Sequence, residues 1–174
     1  MPKEIFVLKG TYSESYKEFK VRMFELMDQI QKECDPKALK ICLTVKRPPL
    51  ISVIPYRKQK AATLSIIPSN DIHRQIIELS NGFQGGYLVE EVLPVTYEKD
   101  WTDRTVTPGI CLLTLFQRKP SIDHKTFLDR WFNGHTPLSL RLHPLWHYNR
   151  NEVKQKLSNE SEDYDGIVEE HFRK

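Results

Sequence analysis

A short strand that is apolar on both faces, followed at once by an amphipathic helix, occurs twice in this chain of 174 residues. That repetition restricts the fold more than any other feature. The first copy runs Ile5-Phe6-Val7-Leu8, a pattern expected of a strand covered on each side. Gly10 and Thr11 break it, and Ser15-Tyr16-Lys17-Glu18 then reads as a capping box, in which hydroxyl and carboxylate satisfy orphan helix amides. Behind the cap, Tyr16, Phe19, Met23, Leu26, Met27 and Ile30 keep helical spacing, and the helix should fade near Cys34-Asp35-Pro36. The second copy runs Ile110 to Phe116, and Arg118-Lys119-Pro120-Ser121 leads into a helix through Phe127, Leu128 and Trp131. An offset of 108 residues pairs Leu8 with Phe116, Phe19 with Phe127 and Met23 with Trp131 without a gap. A repeat of this size suggests one supersecondary unit used twice.

Between the two starts lie strands at Ala38 to Val45, Ala62 to Ile67 and Tyr87 to Val95. A short helix over Ile72, Ile76, Ile77 and Leu79 falls between the last two, with Asn70 or Asp71 available as its cap. The order β-α-β-β-α-β is the split-βαβ or ferredoxin-like plan, whose helices cover one sheet face while something else covers the other. Thr102 to Gly109 is polar and turn-rich and marks the internal boundary, so we expect units at 1–103 and 104–174. Leu145 to Val153 alternates, and Gly166 to Phe172 reads as a last strand. A first unit of about 108 residues leaves 66 for a second, enough for β-α-β-β but not for the closing helix and strand. The expected fold is therefore α+β, with two ferredoxin-like units and the second incomplete at its C-terminus. A bare strand at Gly166 to Phe172 would invite pairing, so self-association through the second unit is expected.

Composition narrows the class. A formal charge of +3, with 28% charged residues, is too mild to demand a polyanion. The basic cluster Arg57-Lys58-Gln59-Lys60, with Lys46-Arg47, reads as a solvated loop, since no nucleic-acid-binding motif accompanies it. No apolar run approaches a membrane span, and the N-terminus has no signal-peptide core, so a cytoplasmic protein without membrane or nucleic-acid partners is expected. Cys34, Cys42 and Cys111 form no motif and read as reduced packing residues. Glycine signatures of nucleotide binding are missing, so no cofactor is expected. His135, His143 and His147 invite a metal reading. However, Pro144 prevents the last two from forming a helical pair, and no carboxylate sits at zinc-motif spacing, so no metal site is assigned.

The most distinctive stretch is F-x-x-x-W-x-x-x-H-x-P-L, from Phe127 to Leu138. Together with the preceding strand, its basic-Pro turn and the Tyr164-Asp165-Gly166 strand start, it resembles the EthD domain family over about Gly109 to Phe172. Residues 4 to 98 match that family only in architecture. The family is a branch of the dimeric α/β-barrel superfamily, in which two ferredoxin-like units place their sheets face to face. The resemblance implies a small-molecule enzyme of oxidoreductase or decarboxylase/dehydratase-like lyase type. Such an enzyme would use cofactor-independent acid–base chemistry on a hydrophobic or aromatic ligand. It implies His135 as the acid/base residue. A non-enzymatic ligand carrier or accessory protein, and a haem-binding barrel, are the alternatives.

The residues themselves allow two readings of His135. Pro137 disfavours helical geometry at Thr136, which places His135 in the last helical turn, where partial negative charge favours an imidazolium. A histidine there serves either as an acid or base near neutral pH or as a cap for helix carbonyls. The repeat-equivalent residue is Met27, which transfers no protons, so a barrel made of both halves holds one such histidine. Trp131, four residues earlier, is a candidate ligand contact, although an aromatic stripe with Phe127 equally suits the core. On the following strand His147, Asn149 and Asn151 share one face, and Trp146, Tyr148 and Arg150 the other. The first set suits a polar pocket or an exposed strand end. A one-residue slip would present Tyr148 and Arg150 instead.

Overall fold

The computed structural model describes residues 3–46 and 60–173. The proline-interrupted loop after Leu50 and most of the basic cluster, including Arg47, Arg57 and Lys58, lie outside the described residues. The protein is α+β and divides into two compact units, Met1–Val89 with Lys154–Glu162, and Glu90–Val153 with Asp163–Lys174.

In the first unit, strands β1 (Lys3–Lys9), β2 (Ala38–Leu43), β3 (Ala61–Ile67) and β4 (Phe83–Val95, as far as Val89) pair in the order β2-β3-β1-β4, every neighbour antiparallel. Helix α1 (Tyr16–Cys34) starts as the sequence suggested. The Ser15 amide donates to Glu18 Oε2 at 2.7 Å and the Glu18 amide to Ser15 Oγ at 3.1 Å. It ends at Asp35, which turns the chain with a φ of 42°. Helix α2 (His73–Leu79) lacks the expected cap: Ile72 holds that position, and Asp71 pairs with the His73 ring instead of the helix amides. Alternation along β1 and β3 turns Phe6, Leu8, Ala62, Leu64 and Ile66 toward the helices. There they pack with Phe19, Met23, Ile30 and Ile76 into a fully buried core.

The second unit orders its strands β6-β7-β5, again antiparallel: β5 (Ile110–Phe116), β6 (His147–Lys156) and β7 (Gly166–Phe172). Two expectations are corrected here. Strand β7 is not an edge, because it pairs with β5 on one side and β6 on the other. The open edge of this unit is β5, whose seven residues carry no charge to deter pairing. The helix after β5 also does not end at His135. Helix α3 (His124–Asp129), capped by Asp123, passes through a π-helical turn (Arg130–His135) into α4 (Thr136–Leu142). Proline lacks an amide and its ring crowds the carbonyl four residues back. The wider turn, in which the Thr136 amide reaches back five residues to the Trp131 carbonyl, lets the helix run through Pro137. The end-of-helix charge argument for His135 therefore does not apply.

Gly166 sets how closely helix and sheet approach. A methyl group built there would lie 2.5 Å from Phe116 Cζ and 2.7 Å from Trp131 Cη2, both of them core aromatics. Gly166→Ala is expected to cost about 1–3 kcal/mol through forced repacking, measured as a lower urea midpoint with an unchanged m value.

In the first unit, burial pushes the Glu4 carboxyl above its ordinary range, with His73 lowering it and Asp71 raising it to smaller extents. A raised folded-state pKa means that the folded form holds the proton more tightly. Stability from this group is complete below the ordinary value of 4.5 and is lost as pH rises through the folded value. Glu4→Gln should therefore leave Tm nearly unchanged at about pH 4 and raise it toward pH 7, as followed by thermal melts across that range.

Candidate functional site

The pleat of β6 sorts its side chains, and its register with β7 fixes which neighbours they meet. His147 lies opposite His171, Asn149 opposite Glu169 and Asn151 opposite Ile167. These six share one face. Tyr148 and Arg150 occupy the other, against α3, the π turn and α4.

On the helix face, Tyr148 is buried with Trp131 and Val168, while Phe116, Phe127 and Phe132 complete the cluster. The Arg150 guanidinium stands 3.6 Å from the Phe132 ring centroid and donates to Thr136 Oγ1 at 3.0 Å. The Thr136 hydroxyl in turn donates to the Trp131 carbonyl at 2.9 Å. Burial lowers the Arg150 pKa from its ordinary value, against the opposing influence of Tyr148 and Glu152. Trp131 and Tyr148, expected as ligand contacts, are thus core residues. Their surroundings are those of the structural alternative. His135 is exposed on the helix, with Nδ1 2.8 Å from the buried Ser139 hydroxyl. It does not point inward, and the structure does not bring it together with His147, Asn149 and Asn151.

The opposite face is buried and polar. Glu169 is fully buried, and His171, His147, Asn149 and Asn151 are nearly so. The Nε2 of His171 lies 3.8 Å from Glu169 Oε2. The Asn149 amide nitrogen donates to Glu91 Oε1, and that of Asn151 to the Ile167 carbonyl at 3.0 Å. Because a carboxylate only accepts, the bond to Glu91 fixes the orientation of the Asn149 amide. Its Oδ1 is left buried with no hydrogen-bond partner among the described residues. The His147 and His171 rings meet edge to face at 5.1 Å, and the Tyr97 ring packs on His147 at 4.4 Å. No group of three or more His, Cys, Asp or Glu that could hold a metal ion occurs among the described residues.

Sequence reasoning found His147, Asn149 and Asn151 but missed Glu169, His171, Glu91 and Tyr97. A signal was available. Glu169 and His171 stand at i and i+2 of an otherwise apolar strand, the spacing that puts both on one face. The residues that made the sequence distinctive have mainly architectural roles. The basic-Pro turn is tied to the Tyr-Asp-Gly strand start, since the Arg118 amide donates to Asp165 Oδ2 at 2.8 Å and its guanidinium pairs with the same carboxylate. Nearby, the His124 ring bridges toward the buried Glu152 at 3.2 Å.

An α+β unit with a helix-covered apolar face and a polar opposite face is the class that these observations define. Residues 119–174, which carry the π-turn helix, β6 and β7, match the model of the EthD domain family. No curated protein matches the chain. No helix among the described residues is long and apolar enough to cross a membrane.

Thr136→Val keeps the shape of the side chain but strands the Arg150 donor. It is expected to destabilise by about 1–3 kcal/mol, seen as a lower Tm with unchanged secondary structure by circular dichroism.

Proposed function

We propose that the protein is an EthD-like small-molecule enzyme performing cofactor-independent acid–base chemistry on a hydrophobic or aromatic ligand. The polar face of β6 and β7 is its site. The observation that carries this reading is the fully buried Glu169 carboxylate beside His171, on the same face as His147 and Asn149. Burying a carboxylate costs more than most packing returns, so a concentration of such groups marks a functional site more often than a stabilising one. In this reading His171 moves the proton, Glu169 sets its affinity for that proton, and Asn149 and His147 orient a ligand oxygen.

The larger architecture belongs to the same proposal. The first unit's element and strand order supports a ferredoxin-like unit, and β5-α3-α4-β6-β7 supports a second, shorter one, as in a dimeric α/β-barrel. Self-association through the second unit would use the uncharged β5 edge. His135 enters as the alternative acid/base, steadied by Ser139.

Deuterium uptake or carbon dioxide release from a panel of phenolic, enolic and β-keto substrates, read by mass spectrometry, tests the chemistry. Turnover should fall by about 100-fold or more in Glu169→Gln and His171→Asn, the usual contribution of an acid/base group. His135→Ala should stay within a few-fold of the parent. Loss in His135→Ala alone would move the chemistry to the helix. Full turnover in both strand variants would end the proposal.

A further inference from the structure

The loop after β4 places a phenol ring of the protein's own at the polar face. The Tyr97 ring centroid lies 4.6 Å from Trp146, 4.4 Å from His147 and 4.9 Å from Trp101, with His171 edge-on at 6.1 Å. Two indoles and two imidazoles therefore enclose one phenol, at separations typical of favourable ring packing. Tyr97 is half-buried and sits beyond Val95, where β4 ends, in a stretch with no regular structure before β5 begins at Ile110. Such segments open at lower cost than strands or helices.

The chemistry beneath the ring selects its occupant. Two residues along the same face of β6, Asn149 presents a buried Oδ1 without a hydrogen-bond partner, an acceptor that calls for a donor. Glu91 and Glu169 flank it, so an anionic ligand meets repulsion, whereas a neutral hydroxyl does not. At the rim, Arg173 stands 5.1 Å from the Trp146 ring and 3.9 Å from the Asp100 carboxylate, so its charge is offset.

We propose that Tyr97 occupies the ligand's own slot. A neutral, phenol-class ring binds between Trp146, His147 and His171 by displacing Tyr97, which acts as a built-in competitor. This rests on the reading of the β6–β7 face as the ligand site and adds the ligand class and the residue that regulates entry.

The test is titration of the full chain with 4-methylphenol, the tyrosine side chain as a free molecule, by calorimetry and by hydrogen exchange of residues 96–101. Tyr97→Ala should bind it at least tenfold more tightly than the parent, while Tyr97→Phe, which keeps the competing ring, should bind like the parent. Toluene and 4-methylbenzoate should bind Tyr97→Ala at least tenfold more weakly than 4-methylphenol. In the parent, saturating 4-methylphenol should raise exchange in residues 96–101. Equal affinity in parent and Tyr97→Ala, or toluene binding as well as the phenol, would overturn the inference. Should Tyr97→Ala fail to fold, unchanged exchange in the saturated parent, or no binding at all, overturns it instead. Loss of turnover in Glu169→Gln without a gain in Tyr97→Ala sinks this inference and leaves the acid–base reading. The reverse pattern sinks the acid–base reading and leaves the slot.

Discussion

Strand β6 can serve two environments only because its side chains alternate, and everything described in the second unit depends on that alternation keeping one phase. Tyr148 and Arg150 need an apolar, aromatic neighbourhood with one hydrogen-bond acceptor, and the helix face supplies it. His147, Asn149 and Asn151 need carboxylates, carbonyls and rings, which Glu91, Ile167, Glu169 and Tyr97 supply. Displacement by one residue would put two amides and an imidazole into the aromatic core and a guanidinium onto the polar face. No small rearrangement repairs that exchange. The chain of donors from Arg150 through the Thr136 hydroxyl to the Trp131 carbonyl fixes the phase from the helix side, and the β6–β7 ladder fixes it from the sheet.

Local signals in the sequence carried much of this. The capping box of α1, the strands Ile110–Phe116 and Gly166–Phe172, and the two-faced pattern of β6 depend on nearest neighbours and period, so they were readable directly. The 108-residue offset also has physical content. Leu8, Phe19 and Met23 are core residues of the first unit, and Phe116, Phe127 and Trp131 pack together in the second. What escaped depended on partners distant in sequence. Which strand lies at an edge is set by pairing order, which no single strand encodes. The importance of Glu169 and His171 emerges only once β7 is laid beside β6.

The W-x-x-x-H-x-P-L motif shows how a distinctive pattern can mislead about role. Trp131 is held close to the sheet by the missing side chain of Gly166, and Pro137 coincides with a change of helical pitch. Both are requirements of packing. His135 shares their spacing but not their burial, and the polar groups best suited to proton transfer lie on strands the motif does not include.

The π turn carries a consequence for how this segment tolerates change. Each residue advances a helix by about 100°, so the one extra residue accommodated between Arg130 and His135 sets the rotation of everything after it. Removing a single residue there would restore ordinary pitch, yet it would swing buried Thr136 and Ser139 out of the interface and bring exposed neighbours in. Residue count in this short stretch therefore behaves like a keyed coupling: substitutions are negotiable, but insertions and deletions are not.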